Sequence, residues 1–215
     1  NSPHTTALQS AIEKGTETAP YNLANQTGSS TVQNTANCYV VSAPGYYCFP
    51  LVYGNAIKNG TTNTSAYTSN KTGSNILKTF INHTGDPITS PYIKNNNCQP
   101  SKAELVWQDA PGLVTDIKYE DTGNGRIAFK VDKNTIRQGN AVKDANGTVL
   151  WSWHIWVTDE NIGQTIEVTN HQGKKYKLMS VNLGWCEGRT ETYAERMKYW
   201  IRFQSIDPDG IMHQR

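Results

Sequence analysis

The feature that most constrains the fold is the stretch of residues 149–158, where apolar and polar side chains alternate around three tryptophans. Successive side chains of a strand point to opposite faces. One face carries Val149, Trp151, Trp153, Ile155 and Val157. The other face carries Leu150, Ser152, His154, Trp156 and Thr158. The pattern predicts a long central strand whose first face, with Trp151 and Trp153, packs in a core.

Composition extends this prediction to the rest of the chain. Asn and Thr, which favour turns and strands over long helices, number 21 and 24, and only 18% of the residues are charged. Further strand-like segments fall at 103–108, 113–118, 126–131, 165–170, 175–181 and 197–204. We therefore expect an all-β fold, a β-sandwich with long loops and at most short helices. The 215 residues suit one large sandwich or two small ones divided near residue 100.

The first half of the chain predicts a lead-in segment, two short helices, a hairpin and a long loop. Residues 1–36 are polar and form a lead-in segment, with a short helix expected over 6–14 between Thr6 and Gly15. Residues 37–215 make up the sandwich region. The segments 37–41 and 46–54 predict a hairpin around Pro44-Gly45. Residues 55–74 predict a long surface excursion, and the spacing of Ile76, Leu77, Phe80 and Ile81 predicts a helix ending at Gly85.

The four cysteines, Cys38, Cys48, Cys98 and Cys186, show neither a CxxC pair nor zinc-finger spacing with a histidine. We therefore predict no metal site. Two disulfides are arithmetically possible, but a turn at 43–46 places Cys48 opposite Val41, which disfavours a bridge from Cys38 to Cys48. Cys186 follows Trp185, and without an identifiable base it is interpreted as a buried or disulfide-bonded residue.

Catalytic patterns are missing from the sequence. The five histidines are scattered, and no serine or cysteine stands in a nucleophile-elbow motif. The carboxylates at Asp109, Asp116, Glu120, Asp121, Asp159 and Glu160 fall mostly at turn-like positions, typical of solvated loop ends rather than of a glycosidase pair. The segment 207–210 lacks the later acidic ligand of a calcium loop. We expect no catalytic residues and no cofactor.

His154 and Trp156 are the ligand-binding candidates, because they lie on the face of the predicted strand that points away from the core. The net charge of +2 is mixed along the chain, which argues against nucleic acid as a partner. Six Asn-x-Ser/Thr triplets begin at Asn25, Asn59, Asn63, Asn70, Asn82 and Asn146. They would predict glycosylation in a eukaryotic secretory protein, although a chain so rich in Asn and Thr forms such triplets by chance.

Four segments, 34–47, 49–60, 151–159 and 181–186, resemble a family of Bacteroidales cell-surface proteins, the fimbrillin-like or cell-adhesion proteins of gut anaerobes. The resemblance spans roughly residues 20–205 and implies export, often as a lipoprotein, to the outer face of the outer membrane. It also implies a fimbrial or adhesive assembly of β-sandwich domains without enzyme activity. The segment 138–144 is shorter than in the family, and no functional residues carry over.

Three functions follow as expectations. The first is a non-enzymatic fimbrial or adhesive subunit, at the cell surface or secreted, that engages other surface subunits or a host protein or glycan. Its contact with a membrane would come only through a lipid anchor outside this chain, since no apolar run approaches the roughly 20 residues of a span. The alternative is a carbohydrate-binding module of a glycan-capture system. A hydrolase with an unrecognised acid pair is the third.

Overall fold

The computed structural model describes residues 3–76, 78–108, 111–136, 139–145, 149–181, 205–206 and 212–213. One α-helix, α1, spans Pro3–Ser10, and two 3-10 turns span Thr64–Ala66 and Ile93–Asn95. The strands are β1 (Tyr21–Asn22), β2 (Cys38–Val41), β3 (Gly45–Pro50), β4 (Ile57–Lys58), β5 (Thr61–Thr62), β6 (Lys102–Gln108), β7 (Val114–Glu120), β8 (Arg126–Val131), β9 (Gly139–Ala145), β10 (Ser152–Val157), β11 (Thr165–Thr169), β12 (Lys175–Met179), β13 (Ser205–Ile206) and β14 (Met212–His213).

Two four-stranded sheets pack face to face, with orders β1-β3-β8-β7 and β2-β10-β9-β6. Aromatic rings join them: Phe49 of the first sheet stacks on Tyr39 of the second at 5.0 Å between centroids and lies 5.2 Å from Trp153. Such pairs add specific geometry to the burial of apolar surface. The all-β prediction is confirmed, with the core between the sheets.

Both sheets combine strands from the two sides of residue 100, because β3 pairs with β8 and β2 pairs with β10. A division near residue 100 therefore does not separate the sheets. The lead-in segment also contributes to the sandwich. Its residues Leu8 and Ala24 belong to the buried cluster, and β1 pairs in parallel with β3.

The expected hairpin at Pro44-Gly45 is wrong. β2 and β3 belong to different sheets, so the chain crosses from one sheet to the other between Val41 and Gly45. The crossing depends on a backbone contact, since Lys14 N donates to Pro44 O at 2.9 Å and Tyr46 N donates to Lys14 O at 2.9 Å. Gly45 has φ +141°, and a Cβ there would lie 1.9 Å from Lys14 O. Glycine is needed for this close approach rather than for a hairpin turn.

The helix expected over 6–14 instead spans Pro3–Ser10, where proline is tolerated in the first turn. The helix expected before Gly85 is wrong, as far as residues 76 and 78–85 are described. There Phe80 pairs with distant backbone, since Phe80 N donates to Tyr67 O and Ile88 N donates to Phe80 O, and residues 82–85 form a turn that Gly85 N closes on Asn82 O. The few apolar residues at helical spacing are too short a pattern to outweigh these pairings.

The excursion at 55–74 is only partly on the surface. Ala56, Ile57 and Tyr67 are buried in the main cluster. This loop therefore carries core side chains as well as exposed polar ones.

The predicted strand at 149–158 begins at Ser152. Trp153, Ile155 and Val157 are buried as predicted, whereas Val149 is 47% exposed. Trp151 is partly buried and lies edge-on to Tyr53 at 5.0 Å. The strand predicted at 197–204 lies outside the described residues. The helices found in the described ranges fall short of the length and hydrophobicity of a membrane span.

Candidate functional site

His154 contacts a cysteine that the sequence analysis had not paired with it. β10 runs parallel to β2 with His154 opposite Cys38, and Cys38 Sγ lies 2.9 Å from His154 Nδ1. Both residues sit on the sheet face opposite to that of the buried Tyr39 and Trp153. Burial raises the pKa of the Cys38 thiol to about 11. The thiol is therefore protonated at neutral pH, unlike the thiolate of a nucleophilic cysteine.

Asn37 completes this cluster. Its backbone oxygen accepts a hydrogen bond from His154 N at 2.7 Å, and its Oδ1 accepts one from Trp151 Nε1 at 2.8 Å. Asn37, Trp151 and His154 line a shallow depression of about 520 Å³. No local pattern predicts this pairing, because Cys38 and His154 are 116 residues apart and parallel pairing depends on the whole topology.

Trp156, the second predicted ligand residue, has an exposed fraction of 0%. The expectation that it faces solvent is wrong, and its ring offers no stacking surface in this conformation. Alternation correctly places Trp156 on the other face of the sheet from Trp153. It does not predict whether that face is covered by other parts of the chain. Exposed aromatic side chains are instead found at Trp107 in β6 and Tyr176 in β12.

Four of the candidate acids, Glu120, Asp121, Asp159 and Glu160, lie in ion pairs. Glu120 accepts from Arg126 Nε at 2.5 Å, and Lys94 donates to Asp121. Asp159 lies 3.0 Å from His4 Nδ1. Among the described residues, no group of three or more His, Cys, Asp or Glu is placed to hold a metal ion. Asp109, Cys186 and the segment 207–210 lie outside the described residues.

The thiols at Cys38, Cys48 and Cys98 are free. Cys38 and Cys48 lie in β2 and β3, which belong to different sheets. No bridge joins these two residues.

Three of the Asn-x-Ser/Thr triplets have a structural use. Asn25, Asn63 and Asn82 each accept, at Oδ1, a hydrogen bond from the hydroxyl two residues later, at 2.8, 3.1 and 2.8 Å. Asn25 and Asn82 are buried. In both, Oδ1 also accepts a hydrogen bond from the backbone N of the residue two positions later, Thr27 at 2.9 Å and Thr84 at 3.0 Å, which closes an Asx turn. The triplets at Asn25 and Asn82 therefore shape loops, and their amides are withdrawn from solvent.

The hairpin of β11 and β12 exposes an apolar face. Its register pairs Ile166 with Leu178 and Val168 with Tyr176, so that these four side chains share one face. They are 42% to 55% exposed. We call this surface the hairpin face. A contiguous exposed apolar patch is typical of an interaction site.

A second concave surface lies between the loop of residues 18–32, the end of β3 and the loop of residues 122–125. We call it the loop cleft. Its volume is about 700 Å³, and its lining includes Tyr92 and Arg126. No sequence motif marks this cleft, because its walls come from loops far apart in the chain.

Comparison of the chain with models of known protein families, with curated proteins and with solved structures finds no match.

Proposed function

We propose that this protein is a non-enzymatic cell-surface subunit that binds neighbouring subunits of a fimbrial or adhesive assembly through the hairpin face. The exposure of Ile166, Val168, Tyr176 and Leu178 on one side of a two-stranded hairpin carries the proposal. The resemblance of the sequence to fimbrillin-like proteins supports the location at the cell surface and the kind of partner.

The energetics of the hairpin support a covering partner. An isolated two-stranded hairpin is at best marginally stable in water. Fully burying a side chain such as Leu, Ile or Val is worth about 1.5–3 kcal/mol, so completing the burial of each half-exposed residue adds about 1 kcal/mol. The four residues together would provide about 4 kcal/mol to a contact, a substantial part of a micromolar affinity.

The partner that fits is an extended segment with alternating apolar side chains. Within the described part of the chain, β11 and β12 pair only with each other, and there each strand has one edge without a partner strand. A strand added at such an edge gains backbone hydrogen bonds and places alternate side chains on the hairpin face. On the opposite face Glu167 stands across from Lys177 and pairs with Lys175 Nζ at 2.7 Å, so that face is mostly polar, with Met179 at its end. The contact is therefore expected on one side only.

The test uses the products of the genes adjacent to this one. Each product is purified and its affinity for this protein is measured by biolayer interferometry. Leu178→Ser removes the centre of the hairpin face and should weaken binding about tenfold, equivalent to about 1.4 kcal/mol. Lys177→Ser is the matched control, since it changes the neighbouring residue of the same strand on the polar face, and should change affinity less than about twofold.

Two outcomes would contradict the proposal. One is the absence of binding by the parent protein to any neighbouring product. The other is a large loss of unfolding free energy in Leu178→Ser, which would indicate that residues of this chain, such as the predicted strand at 197–204, cover the hairpin face.

A further inference from the structure

The loop cleft has the size and placement of a ligand site. Small-molecule sites in proteins occupy about 300–1,000 Å³, and the cleft measures about 700 Å³. Its rim carries the exposed polar residues Ser29, Ser30 and Asn124. These side chains offer hydroxyl and amide groups, which both donate and accept hydrogen bonds.

One wall of the cleft is held in place by internal hydrogen bonds. Buried Asn25 donates from Nδ2 to Thr31 O at 2.8 Å and accepts from Thr27 N at 2.9 Å. Tyr21 donates from its hydroxyl to Gln26 O at 2.6 Å. A loop fixed in this way loses little further freedom when a ligand binds, and such preorganisation raises affinity.

The aromatic wall is fixed in the same manner. Buried Asn96 donates from Nδ2 to Ser90 O at 3.0 Å and to Tyr92 O at 2.7 Å. Its Oδ1 accepts from Thr89 N at 2.8 Å. These bonds hold the backbone that presents Tyr92 to the cleft. A tyrosine ring supplies a flat apolar surface with a polar tip.

The cleft has little net charge. Arg126 is the charged side chain among the described residues that line the cleft. Its positive charge is balanced by Glu120, which accepts a hydrogen bond from Arg126 Nε. At the rim, Lys94 pairs with Asp121 and also donates to Gly123 O at 3.4 Å. A phosphate or carboxylate ligand would need an unpaired cation here. Balanced charges instead favour a neutral ligand.

We propose that the loop cleft binds a neutral oligosaccharide through hydroxyl and amide groups on its rim and the ring of Tyr92. Neutral sugars present many hydroxyl groups around apolar ring faces, which matches this combination of polar rim and aromatic wall. The site goes beyond the subunit contact proposed above and does not depend on it, because the hairpin face contributes no residue to the cleft.

The test begins with a glycan array that carries neutral, sialylated and sulfated oligosaccharides. The strongest neutral oligosaccharide is then titrated by calorimetry into the parent protein and two variants. Asn124→Trp fills the cleft from its rim and should weaken binding at least about tenfold. Asn134→Trp is the matched control, since Asn134 is an exposed turn residue at the other end of β8 and does not line the cleft. It should leave affinity within about twofold.

The outcomes separate the two proposals. Binding of a neutral oligosaccharide that is lost in Asn124→Trp and retained in Leu178→Ser supports the cleft independently of the hairpin face. Absence of neutral glycans among the bound spots, preference for acidic glycans, or equal binding by Asn124→Trp and the parent would overturn the cleft proposal. None of these results would alter the measured affinity for neighbouring subunits.

Discussion

Trp153→Ala is the sharpest test of the core that the sequence predicts and the fold contains. Trp153 is 3% exposed and packs on Phe49 at 5.2 Å between ring centroids. Removing a buried Trp side chain loses its transfer free energy and leaves a cavity, at a cost of about 3–5 kcal/mol. Trp153 Nε1 has no hydrogen-bond partner among the described residues. An unpaired buried donor costs about 1–3 kcal/mol of stability. Trp153→Phe removes this donor, and the stability gained offsets part of the stability lost with the smaller side chain.

Urea denaturation followed by circular dichroism measures both variants. We expect Trp153→Ala to lower the free energy of unfolding by about 3–5 kcal/mol and Trp153→Phe by less than about 1.5 kcal/mol. Trp107→Ala is the control, because Trp107 is 58% exposed, and should change stability by less than about 1 kcal/mol. A loss under about 1 kcal/mol in Trp153→Ala, or equal losses in the Ala and Phe variants, would refute the reasoning.

Three further predictions concern the loops and the acid response. Gly45→Ala should lower the free energy of unfolding in urea by more than about 2 kcal/mol, because a Cβ there would meet a backbone carbonyl. Gly123→Ala, with φ +56° and open space around it, should lower it by only about 1–2 kcal/mol, and equal losses would contradict the close approach at Gly45. Asn82→Ala should lower the free energy of unfolding by about 1–3 kcal/mol, because the buried groups that bond the Asn82 amide lose that partner. Asn70→Ala, on the surface, should lower it by less than about 0.5 kcal/mol. An unchanged melting temperature in Asn82→Ala would contradict a structural role for this triplet. A hydrogen bond from the backbone N–H of Asn134, and to a lesser extent one from Lys130, lowers the pKa of Asp132 below its ordinary 3.8. The stabilising effect of the Asp132 carboxylate is present above pH 3.8 and is lost as the pH falls through the folded pKa, so Asp132→Asn should lose less stability than the parent between about pH 5 and 2. Parallel stability curves for variant and parent would argue against this role.

Alternation along individual strands was sufficient to predict part of the fold. The core positions Ile127, Phe129 and Val131 in β8 follow directly from a period of two. The same pattern in β10 places Trp153 in the core and Trp156 on the opposite face. It does not report what covers that face, so the ligand role expected for Trp156 rested on an exposure that the structure does not have.

Local sequence patterns could not predict which distant segments pair in the fold. The hairpin expected at Pro44-Gly45 rests on two residues that favour a turn. The backbone of Lys14, 31 residues earlier in the chain, contacts Gly45 and its neighbours instead. The contact of Cys38 with His154 likewise depends on parallel pairing of β2 with β10. Both surfaces proposed for binding, the hairpin face and the loop cleft, come from register and loop packing rather than from a sequence motif.

Hydrogen–deuterium exchange of the complex with a neighbouring subunit locates the contact directly. Peptides that cover residues 165–179 are followed by mass spectrometry in the free protein and in the complex. If the hairpin face binds the partner, exchange of these amides should slow in the complex, because an added strand supplies backbone hydrogen bonds and excludes water. Unchanged exchange at 165–179, with protection appearing only elsewhere in the chain, would contradict the proposed function.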